Sequence, residues 1–355
     1  MNRCNTIDSA QALKPLPDNP QRQAHPLPSP MSLGAMLPLG AQLSQQVQQH
    51  RNAIRQIISG ADPRCLVVLG PCSIHDEVAA LDYARRLSAL AAQVNDRLLL
   101  VMRAYLEKPR TAVGWKGMLL DPDRNGGDLA QGLLRSRRLL RALAELGQPL
   151  ATEALSPFAM EYLGDLVSWS AIGARTTESQ THREMASGLD MPVGFKNATD
   201  GSIASAINAM RAASQPHHHM GLSADGAAAM VTTRGNADTH LVLRGGRGIR
   251  NYDAASVNAA VQALQQAAVS PAVMVDCSHD NAGKQAERQP GIALEVMAQR
   301  QAGQQQIIGL MLESFIAGGR QDDKTPLTYG CSITDPCISW EQTEQLIGQL
   351  YDMAT

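Results

Sequence analysis

Residues 98–111, LLLVMRAYLEKPRT, decide how the rest of the chain is read. The stretch opens as an unbroken run of large apolar residues, the pattern of a strand buried on both faces. It then delivers Arg103, Lys108, Arg110 and Thr111 in quick succession. Cations at the exit of a buried strand are costly unless something anionic meets them. One such loop would mark only a strand leaving for solvent. What gives it meaning is recurrence.

Upstream, the apolar run 65–69 (CLVVL) ends in Gly70-Pro71-Cys72-Ser73, and a helical pattern covers 77–94. Downstream, a helix is expected over 129–146, then a strand over 149–152 that ends at Glu153. A helix over 159–167 precedes a strand over 171–174 that leads to Arg175. A short helix over 182–188 leads to a strand over 192–195 and Lys196, and a helix over 203–213 follows. The run 240–243 ends at Arg244, and a helix covers 254–268. The run 272–275 ends in Asp276-Cys277-Ser278-His279. A helix over 291–301 precedes the run 307–312, which ends at Glu313, and a last helix covers 341–353. Strict strand–helix alternation implies a parallel sheet, and eight units point to an α/β fold of the closed (β/α)8 barrel type. An open doubly wound sheet would lead one to look for G-x-G-x-x-G after the first strand, and none is present.

Two segments stand outside the repeat. Residues 1–40, rich in Pro, Gln, Ser and Asn, read as an N-terminal arm placed at a subunit interface. Residues 216–238 read as a small polar insertion within a barrel spanning 41–355. An amphipathic helix over 41–59, with Leu43, Val47, Ile54 and Ile57 near helical spacing, joins arm to barrel.

The 355 residues suffice for one large domain, and their 44% apolar content is globular. Lys plus Arg (31) nearly cancels Asp plus Glu (33), so no global field favours nucleic acid or an anionic membrane. No apolar run reaches bilayer length, and no secretory or transit segment is legible. Six cysteines without paired spacing suit a reducing cytoplasm.

In a barrel the positions just past the strands face one another around the C-terminal mouth. Here they are Cys72, Arg103 with Lys108 and Arg110, Glu153, Arg175, Lys196, Arg244, His279 and Glu313. Cys72, His279 and Glu313, with Asp335 from the last loop, can hold one divalent transition ion such as Mn, Fe, Co or Zn; a Mg or Ca site would lack the thiolate. Arg103, Lys108, Arg110, Thr111, Arg175, Lys196 and Arg244 exceed the needs of a single phosphate. They read as a site for two anionic substrates, at least one phosphorylated.

The blocks LGPCSIHD, EKPRTAVGWKG, IGARTTESQTHREMASGLDMPVGFKNATDGS, LRGGRG, DCSH and GCSITDPC resemble the class I 3-deoxy-D-arabino-heptulosonate 7-phosphate (DAHP) synthases, from about residue 41 onward. The resemblance implies condensation of phosphoenolpyruvate with erythrose 4-phosphate at the head of the shikimate pathway. It implies that Arg103, Lys108 and Lys196 face the enol carboxylate, Arg175 and Arg244 its phosphate, and Arg110 and Thr111 the aldose phosphate. Cys72, His279, Glu313 and Asp335 match the family's metal ligands. Lys108, Glu153 and His279 take the catalytic roles, Glu153 or Lys108 by orienting or deprotonating water. A homodimer or homotetramer is expected, together with feedback inhibition by an aromatic amino acid at a site including Glu161, Leu189, Asp190, His219 and Gly221. Gly221 leans toward tyrosine. The chain departs from the family at 124–131, and in reading Met160-Glu161 and Asp190 where Pro-Gln and Ser are usual. The related synthase acting on arabinose 5-phosphate lacks KPRT, and a non-catalytic paralogue would have lost part of the mouth set.

Overall fold

The computed structural model describes residue 21 and residues 23–354. The first half of the N-terminal arm, residues 1–20, therefore lies outside the described residues. In chain order the elements are α1 (Pro30–Met36), α2 (Ala41–Ser59), β1 (Cys65–Gly70), α3 (Glu77–Val94), β2 (Leu98–Arg103), α4 (Leu129–Glu145), β3 (Leu150–Glu153), α5 (Pro157–Leu163), β4 (Trp169–Ile172), α6 (Gln180–Gly188), β5 (Val193–Lys196) and α7 (Ala204–Ala213). They continue with β6 (His218–Leu222), β7 (Ala228–Thr232), β8 (Thr239–Leu243), α8 (Ala254–Gln266), β9 (Val273–Asp276), α9 (His279–Ala282), α10 (Gln289–Gln301), β10 (Ile307–Glu313) and α11 (Trp340–Met353).

Eight strands close in the order β1-β10-β9-β8-β5-β4-β3-β2, every pair parallel. The alternation of strand side chains explains why the runs are continuously apolar. In β1, Leu66 and Val68 point into the barrel, whereas Cys65, Val67 and Leu69 pack under the helices. Both faces are buried, so both must be hydrophobic.

Ile54 and Ile57 of α2 belong to the same interior cluster as Leu66, Trp169, Ala272 and Ile308, so this helix stoppers the barrel's lower end. Gly194 makes room there. A Cβ at that position would lie 2.5 Å from Trp169 and 2.7 Å from Val242. The Trp169 indole in turn donates to His240 Nε2 at 2.9 Å.

Three differences from the sequence reading bear on the architecture. The fourth strand starts at Trp169 rather than 171, because a tryptophan and a serine are accommodated inside the sheet. The fifth helix starts at Pro157 and stops at Leu163, followed by a 3-10 turn over Gly164–Leu166. Residues 216–238 hold an antiparallel hairpin, β6 paired with β7, that stands outside the barrel. The described part of the arm includes α1 and packs on its own chain. Met31 N donates to Ala224 O at 2.8 Å, and the Tyr162 hydroxyl to Pro28 O at 2.8 Å.

Candidate active site and a second cavity

Period-two alternation carries the polar residues inward. Leu99 and Val101 of β2 face the barrel interior, so Arg103, two further on, does too. Ala151 leads in the same way to Glu153, Met274 to Asp276, Met311 to Glu313, and Val242 to Arg244. Each of these five strands thus ends its inward face in a charge. The parallel registers, with Gly70 opposite Glu313 and Glu153 opposite Ala171, bring those ends to one level.

A cavity of about 350 Å³ opens at this rim. All the residues anticipated there line it: Cys72, Arg103, Lys108, Arg110, Thr111, Glu153, Arg175, Lys196, Arg244, His279, Glu313 and Asp335.

On one side, ligand atoms of Cys72, Glu313 and Asp335 all lie within 4.8 Å of one another. His279 joins at the edge, with Nε2 4.0 Å from Glu313 Oε1. Burial, with Glu313 alongside, pushes the Cys72 thiol up to about 11. Such a thiol becomes a thiolate only when a strong positive charge meets it. The Lys108 ammonium stands in for that charge, 2.9 Å from Cys72 Sγ and 2.8 Å from Asp335 Oδ2. Burial opposes charge on Asp335, yet Lys108 beside it holds the carboxyl well below its usual range. A soft thiolate, an imidazole and two carboxylates around a place that already accepts a cation fit a divalent transition metal.

On the other side the cations are graded by depth. Arg103 is 1% exposed and Lys196 3%, and each has an acidic partner: Glu313 at 3.2 Å and Asp276 at 2.9 Å. Arg103 also lies 3.9 Å over the Tyr105 ring, which adds a cation–π contact. Burial works against the charge on Arg103, but Tyr105 and Glu313 more than restore it. Arg244 pairs with Asp280 at 2.8 Å. Nearer the rim, Arg110 donates only to the Trp115 carbonyl, and among the described residues Arg175 makes no ion pair. Guanidinium groups without a carboxylate partner are free for a phosphate.

Among the residues that escaped the sequence reading, three carry polar groups at or behind the mouth. Tyr105 and Lys284 line the mouth, and Asp276 stands directly behind it. Two of these had a signal available: Tyr105 and Asp276 share the inward period with Arg103 and Met274. Lys284 had none, since its place depends on the turn after α9, where its φ is +59°. Residues 124–131, where the chain departs from the family pattern, line no part of the mouth. Arg124 pairs instead with Asp323, and Asp128 caps α4.

A second, larger cavity of about 650 Å³ lies between α2, α5, α6 and the hairpin. Glu161, Leu189, Asp190, His219 and Gly221 all line it, as the sequence led us to expect. Asp190 is tied to Arg51 at 3.0 Å and Arg55 at 3.3 Å, so its extra charge relative to serine is compensated within the chain. Burial pushes the Glu161 carboxyl up, only partly offset by His219. His217 and His218 bond to Ala212 O and Thr232 Oγ1 and stand apart from the thiol–carboxylate cluster.

Fold and mouth together define a class, a (β/α)8 barrel whose C-terminal rim sets a crowd of cations beside a thiol–carboxylate cluster. Comparison with known proteins makes this specific. Residues 41–347 match the DAHP synthetase I family, and the chain belongs to it. It is 55% identical over 329 residues to the Tyr-sensitive phospho-2-dehydro-3-deoxyheptonate aldolase of Escherichia coli K12, covering 92% of each chain. It is 47% identical over 324 residues to that organism's Phe-sensitive counterpart, covering 90% of this chain and 92% of the other. The solved phospho-2-dehydro-3-deoxyheptonate aldolase from Francisella tularensis superposes with a TM-score of 0.92 at 39% identity, covering 94% of this chain and 98% of that one. Enzymes of this family are metal-dependent. No described helix is long and apolar enough to cross a membrane.

Proposed function

We propose that the protein condenses phosphoenolpyruvate with erythrose 4-phosphate and water, giving 3-deoxy-D-arabino-heptulosonate 7-phosphate and inorganic phosphate. The observation that carries this reading is the grading of the mouth. Deep, carboxylate-paired cations lie at its floor, and guanidinium groups with no carboxylate partner among the described residues lie at its rim, with a thiol–carboxylate cluster to one side.

Arg103, Lys108 and Lys196 hold the enol carboxylate at the floor, and Arg175 and Arg244 its phosphate. Arg110 and Thr111 hold the phosphate of the aldose. Two anions repel one another, and fixing both in attack geometry removes an entropic barrier worth several kcal/mol. When bound by Cys72, His279, Glu313 and Asp335, a divalent ion supplies Lewis acidity to the aldehyde oxygen. C3 of the enol phosphate bonds to the aldehyde carbon, and the cation left at C2 is quenched by water. Glu153 or Lys108 orients that water, and the Glu153 carboxylate, the one of the two that can accept, takes its proton. Phosphate then departs with the C–O electrons. Release of phosphate from the two substrates, measured with and without a chelator, tests the reading; folded, metal-supplied protein that releases none would defeat it.

The second cavity receives the feedback inhibitor, an aromatic amino acid. Tyrosine is favoured by Gly221 and by the 55% identity to a Tyr-sensitive relative. Titrating activity against tyrosine, phenylalanine and tryptophan decides the effector. A homodimer or homotetramer accords with the exposed methionines Met220 and Met230, which face each other across the hairpin near the arm. Light scattering on the purified protein tests the assembly. Five described cysteines are free, in keeping with a cytoplasmic setting.

A further inference from the structure

We propose that Asp276 is a positioning residue that fixes which nitrogen of His279 carries its proton, leaving the other bare toward the ion-binding cluster. The inference deepens the metal reading above and rests on it only for the ligand role of His279.

Asp276 ends β9 and is wholly buried. Its Oδ2 lies 2.7 Å from His279 Nδ1 and 2.9 Å from Lys196 Nζ. Its Oδ1 accepts from the Ser278 backbone N–H at 3.0 Å and the Ser278 hydroxyl at 2.8 Å. That hydroxyl has spent its one proton on the aspartate, so it offers only lone pairs to His279 Nδ1, 2.9 Å away. Both groups facing Nδ1 are therefore acceptors, and Nδ1 must be the protonated nitrogen. In the neutral imidazole Nε2 is left as a lone pair 4.0 Å from Oε1 of Glu313, a member of the cluster, and too far from it for a hydrogen bond. A histidine holds a metal through its unprotonated nitrogen, and the partner of the opposite nitrogen decides which one that is. Because a single oxygen serves both Lys196 and His279, the floor cation and the imidazole share one anchor.

An isosteric change weakens this arrangement. In Asp276→Asn the charge is lost and one oxygen becomes an NH2 group, which opposes either the Lys196 ammonium or the Ser278 N–H. His279 Nδ1 no longer faces an anionic acceptor, and the Nε2-protonated tautomer gains population.

The test uses the full-length, metal-free protein labelled with 15N at histidine, with His279→Gln identifying the His279 signals among the nine histidines. The expected wild-type result is a protonated Nδ1 and a bare Nε2, with the Nε2-protonated form gaining population in Asp276→Asn. Titration with Co2+ in the absence of substrates should show affinity falling about 10- to 100-fold in Asp276→Asn. Lys196→Gln removes the other partner of the same oxygen and should keep the wild-type tautomer. A wild-type His279 protonated at Nε2 overturns the proposal, and it does so even if the asparagine variant fails to fold. Unchanged Co2+ affinity in folded Asp276→Asn overturns it as well. Wild-type protein that takes up no divalent ion overturns the ligand role of His279, while the nitrogen shifts still decide the tautomer.

Discussion

The Lys108 ammonium lies 2.9 Å from the Cys72 sulfur, inside the group of atoms that would grip a metal. A cation there competes with an incoming ion for Cys72 and Asp335. At an effective dielectric near 20, unit charges 4 Å apart interact by about 4 kcal/mol, before screening is discounted. Lys108→Met should therefore bind Mn2+ or Co2+ at least tenfold more tightly while turning over far more slowly, since the same residue serves the substrates. Calorimetric titration decides, and weaker binding in the variant would refute the competition.

Gly173 bears on Glu153. A Cβ at position 173 would sit 2.3 Å from Glu153 Oε1, the tip of a movable side chain rather than backbone. Gly173→Ala should keep the fold and push the carboxylate aside. A general base typically contributes 10²- to 10⁴-fold, so displacing rather than deleting it should lower kcat about 10- to 100-fold. Steady-state kinetics beside a melting curve checks this; an unchanged kcat would exclude Glu153 from the chemistry.

Glu107 gives the protein a pH dependence. Burial pushes its carboxyl up to about 7, although the Ser156 N–H, 3.2 Å away, favours the charged form. The native state holds this proton more tightly than the unfolded chain. The resulting stability is complete below about pH 4.5 and is lost as pH rises through about 7, on the order of 3 kcal/mol in all. Glu107→Gln should abolish that component. Urea midpoints at pH 5 and pH 8 should show the wild type losing ground against the variant at the higher pH, and a constant difference would count against it.

In the second cavity, a Cβ on Gly221 would meet Val231 Cγ2 at 2.6 Å. Gly221→Val should shrink the space open to an aromatic effector and raise the tyrosine concentration for half-inhibition tenfold or more. Inhibition curves for wild type and variant measure it; superimposable curves would place the effector elsewhere.

The barrel was legible because continuous apolar runs such as 65–69 and 98–102 force burial on both faces, and Gly, Pro or charge ends each one. The mouth was legible for the same reason, since the charges sit where the runs stop. Asp276 was passed over as a strand exit because its meaning lies in Lys196 and Ser278–His279, and the lysine is eighty positions away. Hairpin β6–β7 was obscured because HHMGL and AAMVT are half-exposed and show no polar–apolar alternation, only an alternation in burial. Trp169 was missed as a strand opener because the space for it is supplied by Gly194 on the next strand.

The plug that Ile54 and Ile57 form beneath the sheet closes the end opposite the mouth, which leaves the mouth as the doorway for the proposed substrates. Traffic through it is then a matter of order. On the proposed placement, whatever settles against Arg103 and Lys196 arrives before a guest at Arg110 blocks the way, and the long sugar acid clears the threshold before the next enol phosphate is admitted.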